Sequence, residues 1–227
     1  MPTKEEIKAK LTEDPNYYSS KSLEDADLSG LDLTDVEFFD SDLVNANFEG
    51  AILDGACFDA ANLEGANLKG ASLKKAKLEE ANLEKANLSN ADFTDAIMPD
   101  AKLDEAILEG TIFVKCDLGN CSLYEVKAKG AKFNNSKLSL ASLDYSDFSG
   151  ADFTYANLQF ASFRESNLKG AIMTKALLRE ARLIKTNLED ADLSGAILEN
   201  ADLEGAILTN TILLGAMMKG VKNRPPK

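Results

Sequence analysis

From Lys21 to Gly220 a bulky apolar residue returns at every fifth position without an insertion or deletion, giving forty consecutive five-residue units. ADLSG (26–30), ANLEG (61–65), ANLKG (66–70) and ADFTY (151–155) are typical. The third residue, here called the centre, is Leu in 27 units, Phe in nine and Met in three; the exception is Ala128. The first position is Ala in 27 units and otherwise mostly Ser, Thr, Cys or Val, and the second is usually Asp, Asn, Ser or Lys. Thirteen of the fourteen glycines fall at the fifth position.

A period of five matches neither the 3.6 of a helix nor the 2 of a strand. A helix would carry the centres around all of its sides, and a flat strand would turn alternate centres outward. Burying every centre requires a turn after every unit, with the centre and the small first residue inside and the second residue outside. Glycine at the fifth position fits a corner that needs positive φ.

These units resemble the pentapeptide-repeat family, whose consensus is A-(D/N)-L-x-x, over 200 of the 227 residues. The unbroken run is most similar to cyanobacterial members. The resemblance implies an all-β fold, a right-handed quadrilateral β-helix with four units per coil. Forty units then make ten coils, at about 4.8 Å each a tower of roughly 48 Å. A repeat of twenty agrees with the chain: Phe93, Phe113, Phe133 and Phe153 would form one inner column, and Phe38 and Phe58 another. Asn62 with Asn82 and Asn67 with Asn87 would pair as outward amides.

A stacked solenoid needs its ends covered. Thr3-x-x-Glu6 reads as a capping box that opens a short helix over about residues 4–12, with Ile7 and Leu11 on one face and Pro15 beyond it. The organisation expected is an N-terminal cap (1–20), the β-helix (21–220) and a flexible tail (221–227). The last coils carry Ile197, Ile207, Ile212, Leu214 and Met217 at positions that are polar elsewhere. An uncovered edge beside apolar residues predicts a homodimer joined tail to tail.

Ala128 is too small for its slot; Val126 and Phe148 are expected to fill it in part, without a ligand. Cys116 and Cys121, at first positions, should be buried. Cys57, at a second position, should be exposed and the readiest thiol to react.

The chain holds 38 Asp and Glu against 25 Lys and Arg, for a net charge of −13, and has no His. Lacking His excludes His-based triads, proton relays and metal sites, and the acidic balance argues against direct nucleic-acid or anionic-membrane binding. With no signal-like segment and no apolar run of membrane-spanning length, the sequence reads as cytoplasmic. No nucleophile elbow, P-loop, dinucleotide fingerprint or Ca²⁺-loop spacing occurs, and carboxylates spread over convex faces form no pocket. No enzymatic role, metal or cofactor is expected.

A protein partner remains. Some family members protect DNA gyrase from quinolones as acidic rods that imitate duplex DNA, and the resemblance brings that role in as the alternative reading. Here the first two coils carry −10 of the −15 in the repeats, and Lys74-Lys75, Lys127-Lys129 and Arg182-Lys185 interrupt the rest. A continuous negative stripe is therefore absent from the sequence, as are the loop insertions of many gyrase-protecting relatives. The preferred reading is an interaction scaffold or regulator, with Tyr124, Leu140, Tyr145 and Phe160 as candidate contacts because aromatics on a rigid frame anchor interfaces.

Overall fold

The computed structural model describes residues 2–223. Parallel bridges join second-position residues one coil apart, residue to residue plus twenty, from Ser22–Asp42 to Asp202–Lys222. The repeat therefore closes after four units, and each unit forms one side of a square coil.

The backbone bonding follows from that register. The Leu63 N–H donates to the Asn82 carbonyl of the next coil at 2.7 Å, and the Asn82 N–H donates back to Ala61 at 2.9 Å. At the corner, the Gly65 N–H donates to Glu84 at 2.8 Å while the Ala66 N–H closes the turn onto the Leu63 carbonyl at 3.0 Å. Side after side repeats this set, so interior peptide groups are satisfied between coils.

Leu63, Leu68, Leu73 and Leu78, the four centres of one coil, are fully buried together with the alanines at first positions. Each such leucine contributes about 1.5–3 kcal/mol by leaving water. The expected phenylalanine columns form: Phe93, Phe113, Phe133 and Phe153 stack with centroid spacings of 5.1, 5.0 and 4.8 Å, and Phe38 lies 5.2 Å from Phe58. Val126, Ala128 and Phe148 are all buried.

Every fifth residue from Ser20 to Gly220 has positive φ, whether or not it is glycine. Positive φ at the third residue of a four-residue turn is the type II requirement. Where the residue is bulky, as at Leu140 (φ 63°) and Phe160 (φ 62°), the surrounding ladder imposes the conformation. Second-position Asp and Asn side chains bind the backbone two residues on. The Asp92 carboxylate, for example, accepts the Thr94 N–H at 3.0 Å and the Thr94 hydroxyl at 2.6 Å. Asn82 also donates to Asn62 at 3.0 Å, as expected. Asn67 and Asn87 also stack one coil apart. Asn67 in turn directs its amide one coil back, to Asn47 at 3.0 Å and Glu49 at 3.3 Å.

Helix α1, Lys4–Glu13, starts with the expected capping box at Thr3 and Glu6. Ile7 and Leu11 are buried against the first coil with Tyr18. The cap also supplies backbone partners, because the Glu37 N–H donates to Pro15 at 3.1 Å and Ser20 donates to Phe39 at 2.8 Å.

Coil 10 (residues 201–220) lacks such a cover among the described residues. Its centres Leu208, Leu213 and Met218 are only half-buried, a departure from uniformly buried centres, because no described coil stacks beyond them. Pairing also continues past the expected boundary at 220, since Lys222 bridges Asp202. Residues 224–227 of the expected tail lie outside the described residues.

Cys57 corrects another expectation. It is buried, at 8% exposure, and not an accessible thiol. It stands between Glu37 and Lys77 in its column, and a short side chain between two longer ones about 4.8 Å away loses its solvent. Cys116 and Cys121 are buried as expected. Among the described residues, no helix is long and apolar enough to cross a membrane.

Candidate functional site

The four candidate contacts lie at the two edges of one side of the tower. That side is built by residues 121–125, 141–145 and 161–165 in successive coils. Leu140 and Phe160 turn the corner into it, one coil apart, and are 60% and 48% exposed. Tyr124 and Tyr145 turn the corner out of it. Their rings meet edge to face with centroids 5.4 Å apart. The neighbouring Glu125 carboxylate raises the pKa of the Tyr124 hydroxyl above its usual value.

These edges project because of their position in the unit. Fourth and fifth residues form the two central positions of each turn, so their side chains leave the frame at the corners. The floor between the edges is small and polar, with Ser122, Ser142 and Ser162 at successive second positions. The Ser122 hydroxyl donates to Asp104, and Asp104 also accepts the Tyr124 N–H at 2.9 Å. The Ser162 hydroxyl is buried without a hydrogen-bond partner among the described residues.

Beneath this corner the backbone departs from its pattern. The Val126 and Ser146 N–H groups do not close the turns that carry Tyr124 and Tyr145. The Val126 N–H donates to the Ser146 hydroxyl at 2.9 Å, and the Ser146 N–H donates to the Ser166 hydroxyl at 3.3 Å. The freed carbonyls of Leu123 and Leu143 accept those same hydroxyls at 2.8 and 2.6 Å.

Two exposed aromatics escaped the sequence reading. Tyr155, 52% exposed, receives a 2.8 Å hydrogen bond from the Lys175 ammonium, which also lies over its ring. Phe39, 49% exposed, lines a cleft with Asp59, Ala60, Glu79 and Glu80 across the first three coils. Their occupation of fourth and fifth positions, where apolar residues are scarce, was the signal that marks them.

The expected dimer residues divide. Ile207, Ile212 and Met217 are each about half exposed, at 50%, 50% and 48%, and Leu214 is 79% exposed. Ile197 is instead half-buried, because it lies in a column between Leu177 and Met217. Among the described residues, no group of three or more Cys, Asp or Glu is arranged to hold a metal ion.

Solved structures similar to this chain include HetL from the cyanobacterium Nostoc sp. strain PCC 7120, a pentapeptide-repeat protein involved in regulating heterocyst differentiation. It is 26% identical over 97% of this chain and 98% of its own, with a TM-score of 0.47. QnrB1, a plasmid-mediated fluoroquinolone resistance protein, is 22% identical over 71% of this chain and 86% of its own, with a TM-score of 0.38. Rfr23 from the cyanobacterium Cyanothece 51142 is 22% identical over 69% and 90%, with a TM-score of 0.31. No curated protein sequence matches the chain. The family model "Pentapeptide repeats" matches in eight copies, among them residues 22–55, 32–70, 71–110, 101–139, 141–170, 161–200 and 186–222. The chain belongs to the pentapeptide-repeat family, whose fold is the right-handed quadrilateral β-helix.

Proposed function

We propose that this protein is a non-catalytic interaction scaffold of the cytoplasm, and that it receives a protein partner on the side bounded by Tyr124, Leu140, Tyr145 and Phe160. The observation that carries the reading is the grouping of these four exposed side chains at the two edges of one side, over a floor of serines. A frame bonded coil to coil holds them with little conformational entropy left to lose on binding, the usual advantage of a preorganised surface. Exposed aromatics of this kind supply much of the energy of an interface. The test is affinity capture from the native cytoplasm with the wild type and with a Tyr124→Ala/Phe160→Ala variant. The reading expects a specific partner that the variant loses, and a partner retained equally by both removes this side as the contact.

The exposed rim of coil 10 supports a second element of the reading, a homodimer joined tail to tail. Ile207, Ile212, Leu214 and Met217 surround half-buried centres, with Ile197 behind them, and such an apolar rim at a ladder edge favours association. Light scattering at micromolar concentration should give twice the chain mass, reduced to one chain by Ile212→Asp/Leu214→Asp. A monomeric wild type overturns it.

The concentration of acid in the first two coils keeps the gyrase-directed reading as the alternative. The scaffold reading expects no effect in a gyrase supercoiling assay with or without a quinolone. Inhibition, or protection from the drug, would favour the mimic.

A further inference from the structure

The two irregular turns coincide with the tyrosine pair, and we propose that the interior hydroxyls of Ser146 and Ser166 are positioning residues for Tyr124 and Tyr145. This rests on the reading of that side as the partner surface, but its geometric part stands apart from any partner.

In the described repeats from Ala26 to Val221, every turn but two is closed by an N–H of a first residue on the preceding centre carbonyl. The two exceptions end at Val126 and Ser146, and they carry Tyr124-Glu125 and Asp144-Tyr145 at their central positions. In each, a serine hydroxyl from the next coil stands where the direct bond would be. It accepts the N–H and donates to the carbonyl, so the turn is held one hydroxyl wider while both backbone groups stay satisfied.

A hydroxyl at a first position is not sufficient for this. Thr111, Thr186 and Thr211 donate to Leu88, Phe163 and Leu188 one coil back at 2.7–2.8 Å. The turns at those three carbonyls nevertheless remain closed, by Ala91, Ser166 and Ala191 at 2.9, 3.1 and 3.1 Å. Threonine's second branch restricts χ1. Its hydroxyl reaches the carbonyl without entering the turn, whereas unbranched serine is free to sit between N–H and carbonyl. At 146 and 166 the serine hydroxyl enters the preceding coil's turn and sets its width from inside the core, and with it the spacing of the rings outside. Ser136, also at a first position, donates to the Phe133 carbonyl of its own turn and leaves the Cys116 turn closed.

The variants Ser146→Thr and Ser166→Thr keep the buried hydroxyl and its bond to the preceding coil. A purely structural role predicts that they leave the tyrosines unmoved; turn positioning predicts that they act like Ser146→Ala and Ser166→Ala. The measurement is the pattern of nuclear Overhauser effects between the Tyr124 and Tyr145 rings, with thermal unfolding recorded in parallel. We expect that pattern to change in the Thr variants, which should unfold within a few degrees of the wild type. A ring pattern unchanged in the Thr and Ala variants overturns the inference, and so does a change confined to the Ala variants. Capture of the partner is then compared: rearranged rings with unchanged capture leave the positioning intact and remove the partner surface.

Discussion

Phe133 and Phe153 lie nearly parallel, with ring centroids 4.8 Å apart and planes inclined by 5°. The spacing is the coil rise, so the aromatic stack and the backbone ladder are commensurate and neither strains the other. Phe133 is flanked by rings on both sides of its column, with Phe113 at 5.0 Å. Phe133→Ala is expected to destabilise the tower by about 3–5 kcal/mol, the range for truncating a buried phenylalanine. Leu68→Ala should cost about 2–5 kcal/mol. Denaturant unfolding measures both, and a change below about 1 kcal/mol in either would contradict the close packing of the centres.

Phe160 separates stability from binding. It is exposed and held at φ 62°, where a side chain other than glycine is disfavoured by about 1–2 kcal/mol. Phe160→Gly relieves that conformation while removing the aromatic. The expected result is an unfolding temperature equal to or above the wild type's together with weakened partner capture. A clear loss of stability would show that the ring packs on the frame.

Acid should weaken the fold through its outward aspartates. Hydrogen bonds from Ser29, Thr34 and Ser194 hold the carboxyls of Asp27, Asp32 and Asp192 below their ordinary value of 3.8. A folded pKa below the unfolded one stabilises the native state above the unfolded value, and that contribution is lost as pH falls through the folded values. Stability should therefore change little from these groups above about pH 5 and decline below about pH 4. Asparagine occupies the same position at 47 and 67 and accepts the same kind of bond. Asp27→Asn/Asp32→Asn should then flatten the acid limb in a pH series of unfolding, and an unchanged limb would assign it to other carboxylates.

The thiols should be inert in the native state. Burial pushes the Cys57 thiol up to about 11 and that of Cys121 up to about 12, and raises Cys116 well above its ordinary value. Since the thiolate is the nucleophile, iodoacetamide at neutral pH should leave the folded protein unlabelled and modify three residues after denaturation. Rapid labelling of Cys57 in the native state would restore the exposed position expected from its place in the unit.

Candidate contacts were legible as breaks in a rule. Tyr124, Leu140, Tyr145 and Phe160 place large apolar groups where most other units place Gly or polar residues, and the structure finds all four exposed. Cys57 shows where that rule fails. A second position faces outward, but its solvent exposure depends on the reach of the neighbours above and below, Glu37 and Lys77. The open turns were equally hidden, because Ser146 and Ser166 are ordinary small first residues until the coil-to-coil register places each hydroxyl against a particular carbonyl.

Local pattern alone determined the winding of this chain. A centre that recurs every five residues reaches the interior each time only if the backbone turns after each unit, and that condition is written into forty units in succession. Three-dimensional stacking decided the rest: which outward side chains are shielded, which turns are widened, and which centres stay half-covered at coil 10. Those properties belong to contacts between residues about twenty positions apart, and their outcome depends on side-chain length and branching across the stack, which a periodicity does not record.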